Sequence, residues 1–133
     1  MGAPASFAPV EDPGPFVEHV GPLLADGDVV GLEIAERHLN RAGTAQGGLL
    51  ATLVDFAMGR AVRASADGER RAATVSLTTD FLGAAKEGDW VEARTEVERL
   101  GGTLAFVDCS LSVDGREIVR GRAVFAVLSD GDG

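Results

Sequence analysis

Cysteine is almost absent from this sequence: Cys109 is the only one among 133 residues. A single cysteine excludes an intrachain disulfide and favours a reducing compartment, so we expect a cytoplasmic protein. Residues 1–15 lack the basic and apolar stretches of a secretory signal. Since apolar runs long enough to span a bilayer are also missing, we expect no role in a membrane.

Basic charge is scarce as well. Twelve Lys and Arg face 21 Asp and Glu, which gives a formal net charge of −9. A negative field repels nucleic acid and anionic membrane surfaces, so we expect neither as a partner. The two histidines, His19 and His38, have no metal-ligand spacing, and no metal site is predicted.

Hydrophobic residues make up 45% of the chain, enough for a core without disulfides or metals. Residues 1–13 contain three prolines and little periodicity, and we expect a flexible arm there. Residues 129–133 are predicted to form a disordered tail. The sequence between them, 14–128, has no internal repeat or linker and is predicted to be a single domain.

Two helices are predicted from the spacing of apolar residues. The first contains Phe16, Val20, Leu23 and Leu24, and Gly27 helps to end it. The second runs from residue 47 to about 64 without proline, and its apolar residues cover most of its circumference. A helix of this kind is buried.

Strands surround the long helix in the sequence. One alternates around residues 30–34, and four more follow the helix, at about 74–81, 90–98, 105–113 and 118–128. Gly101-Gly102 and Asp114-Gly115 are hairpin signals. One buried helix and antiparallel strands predict an α+β fold in which the sheet wraps around the helix as a meander. Apolar residues left on the outer face of the sheet predict self-association: Leu104, Phe106, Val124 and Leu128.

Asp55 is the first candidate for chemistry. It lies between Val54 and Phe56 on the apolar helix, where an ionised carboxylate is unfavourable unless something partners it. Such a carboxylate is either a reactive base in a site or an ion-pair partner of a nearby arginine, Arg60 or Arg63. The residue alone leaves both open.

Gly47 and Gly48 open the same helix. A glycine pair at a helix N-terminus lets backbone N–H groups approach an acceptor closely, with the positive end of the helix dipole behind them. Such a position can polarise a carbonyl and hold an oxyanion. Close packing against the sheet is the other explanation of a glycine pair.

The distance between Gly47 and Asp55 along the helix determines whether one chain can supply both groups to one site. Asp55 is eight residues beyond Gly47, about 12 Å along a helix, whereas a general base must act within about 3 Å of its water. If both groups serve one carbonyl, they come from different chains. A symmetric dimer with two antiparallel central helices would supply two such sites.

In these features the chain resembles the PaaI-type hotdog acyl-CoA thioesterases. The resemblance rests on His38-x-Asn40, Gly43, Gly47-Gly48 and Asp55, and on the order of helices and strands over roughly residues 14–128. It implies a hotdog fold, hydrolysis of an acyl-CoA, no cofactor besides the coenzyme A of the substrate, and a homodimer or homotetramer.

The resemblance also implies site residues. The N–H of Gly47, with help from Asn40, would bind the thioester oxygen, and Asp55 of the neighbouring subunit would act as base or nucleophile. Thr74 would accompany the aspartate, or Ser76 if the register slips. Substrate-binding positions are predicted at Gln46, Gly48 and His38, and the acyl-pocket walls at Leu50, Val54 and Met58.

Gln46 departs from the family pattern, which has histidine before the glycine pair. Glutamine can donate a hydrogen bond but cannot carry a proton near neutral pH. Gln46 therefore gives reason for one alternative to the thioesterase, a non-catalytic acyl-CoA-binding hotdog protein. It argues against a second and less favoured alternative, a hotdog hydratase or dehydratase, because those enzymes pair a histidine with a carboxylate. Cys109 lies in mid-strand on the apolar face and is expected to be a packed thiol.

Overall fold

Two α-helices and seven strands make up the described part of the protein, residues 2–66 and 70–129 of a computed structural model. The helices are α1 (Pro15–Val20) and α2 (Gly47–Ser65), and a 3₁₀ turn, Glu36–His38, precedes α2. The strands are β1 (Ala8–Pro9), β2 (Leu24–Asp26), β3 (Val29–Glu33), β4 (Arg71–Phe81), β5 (Trp90–Leu100), β6 (Leu104–Val113) and β7 (Arg116–Leu128).

All seven strands form one antiparallel sheet in the order β1-β2-β3-β5-β6-β7-β4. Strands β5, β6 and β7 are a meander, and both predicted hairpins, at Gly101-Gly102 and Asp114-Gly115, join them. Strand β4 departs from the predicted meander, because it pairs with β7 and lies at the sheet edge. Alternation of apolar residues shows which face of a strand is buried but not which strand lies beside it.

The sheet covers one side of α2, as predicted for an α+β fold with a central helix. Six apolar side chains of α2 are buried against it: Leu50, Leu53, Val54, Ala57, Met58 and Val62. Strand β7 comes close because Gly121 has no side chain; a Cβ there would lie 2.7 Å from Cγ1 of Val54. The opposite flank of α2 is only half-buried in the protomer, so the helix is not buried all round.

Helix α1 is shorter than predicted. It ends at Val20, and Leu24 already belongs to β2. Pro22 explains the difference, since proline cannot donate a helical hydrogen bond and disfavours helix at the residue before it.

The N-terminal segment lies against the sheet, which corrects the prediction of a loose arm at residues 1–13. Strand β1 pairs with β2, and the ring of Phe7 meets that of Trp90 edge-on, with centroids 5.1 Å apart. Short proline-containing stretches give little periodicity even when they pair with a strand. Of the tail predicted at 129–133, all but Ser129 lies outside the described residues.

Candidate active site

Asp55 and Thr74 are in direct polar contact at the half-buried flank of α2, which we call the accessible flank. The Thr74 hydroxyl donates a hydrogen bond of 2.6 Å to Oδ1 of Asp55. Arg60, one of the expected ion-pair partners, instead donates to the carbonyl of Gly27 at 2.8 Å. The two residues that the resemblance paired are therefore brought together within one protomer.

A β-bulge makes this contact possible. The register between β4 and β7 shifts between Thr74 and Ser76. With strict alternation Thr74 and Leu77 would lie on opposite faces of the sheet, but both line the same cleft beside Asp55. The extra residue rotates Thr74 to the helix side, whereas Ser76 lies opposite Val124 on β7.

The N-terminus of α2 offers unpaired amide donors. The first intrahelical bond runs from the N–H of Leu50 to the carbonyl of Gln46. The N–H groups of Gly47, Gly48 and Leu49 therefore have no acceptor inside the helix. The first turn carries no acidic residue, so an incoming oxyanion would meet the positive end of the dipole without competition from a neighbouring carboxylate.

Two contacts of the backbone hold this N-terminus in place. The N–H of Gln46 donates to the carbonyl of His38 at 2.8 Å, and the N–H of Ala45 donates to the carbonyl of Ala85 at 2.8 Å. The Gln46 side chain is exposed and does not cap the helix. It lines a cleft beside the start of α2, and its role in substrate binding stays a prediction.

Asn40 shapes the loop that leads into α2. Its Oδ1 accepts hydrogen bonds from the N–H groups of Ala42 and Thr44, at 2.9 and 3.1 Å, and its Nδ2 donates to the Thr44 hydroxyl at 3.2 Å. These bonds close a turn in which Gly43 takes a φ of 85°. Both ends of the amide are engaged in the loop, and the predicted contact with the thioester oxygen would have to come from the second hydrogen on Nδ2.

His38 is a structural residue. Its ring is buried, with 4% exposure; Nδ1 accepts from the N–H of Ala35 at 2.9 Å, and Nε2 lies 2.6 Å from the carbonyl oxygen of Val20. Since the backbone N–H of Ala35 can only donate, Nδ1 must be the unprotonated nitrogen of the ring. Nε2 therefore carries the proton and donates to the carbonyl of Val20. With both nitrogens used by the backbone, His38 has none left for a substrate, which corrects its predicted binding role.

Two clefts meet at the accessible flank of α2. The first, which we call the Asp55 cleft, has a volume of about 430 Å³ and lies between Asp55, Thr74 and Leu77. The second, about 400 Å³, lies between α1 and the start of α2, next to Gln46. Phe16, Gly48 and Thr52 line both, so the two clefts adjoin each other.

Leu50, Val54 and Met58 line neither cleft. Their exposures of 2%, 0% and 0% place them in the core beneath the sheet, which corrects their prediction as acyl-pocket walls. A helix apolar over most of its circumference does not reveal which apolar stripe faces the sheet. The accessible flank instead presents smaller or less buried side chains: Ala51, Thr52 and Phe56.

Other chemistries find little support in the described residues. Burial raises the pKa of the Cys109 thiol to about 12, so it stays protonated and unreactive near neutral pH. Within residues 2–66 and 70–129, His, Cys, Asp and Glu side chains form no group suited to a metal ion. In the same ranges, no helix has the length and apolar character to cross a membrane.

Comparison with known families identifies the chain. The sequence profile of the Thioesterase superfamily matches residues 42–119, which is more than half of the protein and includes α2 and both catalytic candidates on it. The chain belongs to the Thioesterase superfamily. This thioesterase has the PaaI-type hotdog fold and is a thioester hydrolase, as the sequence motifs predicted.

Relatives of this thioesterase extend along nearly the whole chain. A Pseudomonas aeruginosa protein named "Putative esterase" is 38% identical over 130 residues, which cover 94% of this chain and 97% of the relative. Mouse acyl-coenzyme A thioesterase 13 is 32% identical over 93 residues, which cover 68% of this chain and 66% of the mouse protein.

Solved structures show the same fold. A Streptococcus pneumoniae protein described as a "Hypothetical Thioesterase Protein" and determined with coenzyme A superposes with a TM-score of 0.70 and 26% identity, over 74% of this chain and 78% of that one. The Escherichia coli PaaI protein from the phenylacetic acid degradation operon superposes with a TM-score of 0.71 and 22% identity, over 76% and 72%. The likeness to PaaI is one of fold.

Proposed function

We propose that this thioesterase hydrolyses small or medium acyl-CoA substrates to the free acid and CoA, at sites shared between two subunits. One observation carries the second half of this proposal. Asp55 and Gly47 both lie toward β4 but at opposite ends of it: Asp55 contacts Thr74, and Gly47 lies beside Phe81. A coenzyme A thioester as substrate is supported by the mouse acyl-CoA thioesterase and the S. pneumoniae protein with coenzyme A.

Strand β4 is suited to pair with a second copy of itself. It is an 11-residue edge strand, and an edge leaves a row of N–H and C=O groups without partners in the sheet. Its apolar side chains are also uncovered: Val75 and Phe81 are 60% and 51% exposed. Antiparallel pairing of two β4 strands would extend the sheet across a dimer.

The faces of β4 restrict the register of such a pair. Directly opposed residues of antiparallel strands share a face. An axis through any single residue of β4 keeps this rule, and we propose the axis through Thr78, which opposes Leu77 to the partner's Thr79, because it brings the two halves of the site together. The extra residue of the bulge would then bring Thr74 opposite the partner's Phe81. Thr74 contacts Asp55 and Phe81 lies beside Gly47. Opposing Thr74 to the partner's Phe81 would therefore bring each Asp55 toward the partner's Gly47.

The reaction follows from the chemistry of these groups. The Gly47 N–H at the positive end of α2 would donate a hydrogen bond to the thioester carbonyl oxygen and stabilise it as it becomes an oxyanion. Asp55 of the other subunit would take a proton from water, whose oxygen attacks the carbonyl carbon. Collapse of the tetrahedral intermediate then breaks the C–S bond and releases the acid and the CoA thiolate. Direct attack by Asp55 would instead expel the CoA thiolate and form a mixed anhydride with the acyl group, which water hydrolyses to the free acid and Asp55.

The glutamine at position 46 bears differently on the two alternatives to this proposal. A hotdog hydratase needs a histidine beside the carboxylate, but position 46 is glutamine and His38 is held by two backbone groups. A non-catalytic acyl-CoA-binding protein remains the alternative that Gln46 favours. The Thr74 hydrogen bond to Asp55 favours the enzyme, because it orients the carboxylate without neutralising it.

Mixed dimers test the proposal. Gly47→Pro removes the N–H at the first helical position, where proline is tolerated, and Gln46 already has the φ of −61° and ψ of 135° that suit a residue before proline. We expect Gly47→Pro to lower kcat by about 10²–10³, and Asp55→Asn by about 10²–10⁴. Gly47→Ala, which keeps the N–H, is the control. Thiol release from a panel of acyl-CoAs is the measurement.

Refolding the two inactive variants together gives the decisive result. Half of the dimers are then mixed, and each has one intact site, so we expect about one quarter of the wild-type activity to return. Absence of any recovery, with mixed dimers present, would contradict the shared site. A wild-type protein that binds acyl-CoA but releases no thiol would instead support the binding protein.

The wider assembly and the compartment also belong to this proposal. On the outer face of the sheet, Leu104 and Phe106 are 41% and 39% exposed. Two dimers that cover these residues would make the predicted homotetramer. The single buried cysteine keeps the cytoplasm as the predicted compartment.

A further inference from the structure

Phe81 occupies an unusual position for a large aromatic residue. It ends β4 with 51% of its surface exposed, although strand alternation places it on the helix-facing side with Leu77. Its ring reaches the start of α2: Cζ and Cε1 lie 3.5 and 3.6 Å from the position that a Cβ of Gly47 would take. The ring therefore covers one side of the backbone at Gly47.

That position puts the ring within reach of the reacting atoms. A carbonyl oxygen bound by the Gly47 N–H lies about 3 Å from the nitrogen, so the carbonyl carbon and the atoms bonded to it lie just beyond. The ring occupies the same shell around Gly47. It would therefore limit the space that the group next to the carbonyl can fill.

The proposed dimer places the ring between both halves of the site. The two-fold axis through Thr78 would oppose Phe81 to the partner's Thr74, the residue that holds the aspartate. The ring would thus lie beside the amide of its own subunit and the carboxylate of the other. The ring surface that is exposed in the protomer would then form part of the wall of the shared site.

We propose that Phe81 is a specificity-determining residue that limits bulk at the carbon next to the thioester carbonyl. The proposal rests on the function proposed above. The favoured substrates are linear acyl-CoAs, and the disfavoured ones carry a branch at the α-carbon.

A series of side chains at position 81 tests the proposal. With butyryl-CoA and isobutyryl-CoA as probes, we expect Phe81→Ala to raise the ratio of kcat/KM for the branched over the linear substrate by about tenfold or more, as one methyl-sized change in a pocket permits. Phe81→Leu should give an intermediate ratio, and Phe81→Trp a lower one than wild type. The ratio cancels any uniform loss of activity.

Leu82→Ala is the matched control. Leu82 follows Phe81, is 59% exposed, and its N–H donates to the carbonyl of Ile118, so its change removes a similar exposed apolar group while the ratio should stay at the wild-type value. If Phe81→Ala dissociates the dimer, Phe81→Leu and Phe81→Trp decide the question. An unchanged ratio in active dimeric variants overturns the role of Phe81, whereas a wild-type protein inactive on every acyl-CoA overturns the proposed function itself.

Discussion

At the scale of single residues, the proposed reactivity of Asp55 depends on the kind of group that contacts its carboxylate. Asp55 accepts a hydrogen bond from Thr74 at 2.6 Å, and a neutral hydroxyl orients a carboxylate without removing its charge. An arginine at the same distance would pair with it and weaken it as a base. The threonine is therefore better described as a positioning residue than as a catalytic one.

This role predicts a graded response at position 74. Thr74→Val keeps the shape and loses the hydroxyl, and we expect kcat to fall about tenfold with KM little changed, since one hydrogen bond to a charged group contributes about 1.5–3 kcal/mol. Thr74→Ser keeps the hydroxyl and should restore most of kcat. Steady-state kinetics of thiol release measures both. Equal loss in the two variants would show that the methyl group, and not the hydrogen bond, matters.

At the scale of elements, the position of α2 depends on β7. Gly121 lies where Val54 and Met58 contact the strand, and a Cβ there would be 2.7 Å from Cγ1 of Val54 and 3.4 Å from Cε of Met58. Side chains this close cannot be accommodated without movement of the helix or a change of rotamer. The helix carries Asp55 and Gly47, so a shift would displace both halves of the site.

We expect Gly121→Ala to lower the free energy of unfolding by about 1–3 kcal/mol through overpacking. Urea denaturation followed by circular dichroism measures this change. Gly102→Ala is the control, because a Cβ at Gly102 would meet no atom within 4 Å. Equal stability of the two variants would mean that the helix is free to move away from β7.

At the scale of the whole molecule, the proposed site exists only in the dimer. Thr78 is exposed in the protomer and would lie on the two-fold axis, opposite its own copy. A charged side chain at position 78 would therefore face the same charge on the partner subunit. Arg122, which lies beside position 78 on β7, would add a further positive charge to that of an arginine. Like charges that face each other across an interface weaken association strongly.

Thr78→Arg should therefore raise the dimer dissociation constant about tenfold or more, and thiol release should fall in parallel with the dimer fraction. Analytical ultracentrifugation over a range of protein concentrations gives the constant. Thr78→Gln, of similar length and no charge, should stay dimeric. If Thr78→Arg remains a dimer at all concentrations, the subunits associate through another surface.

Much of the element pattern followed from the sequence. The long helix, the strands after it and both hairpins are local features, set by apolar periodicity and by glycine in turns. The eight-residue separation of Gly47 and Asp55 is also local, and with the rise of a helix it was enough to predict a second subunit.

The tertiary structure decided what depends on distant residues. The contact of Thr74 with Asp55 needs a bulge, and the place of β4 at the sheet edge depends on its partner β7; neither leaves a mark in local periodicity. The same is true of the face that α2 turns to the sheet, which made Leu50, Val54 and Met58 core residues, and of the backbone groups that hold His38. Periodicity records how a side chain alternates with its neighbours in the sequence, whereas contacts between elements are set by packing that no short window contains.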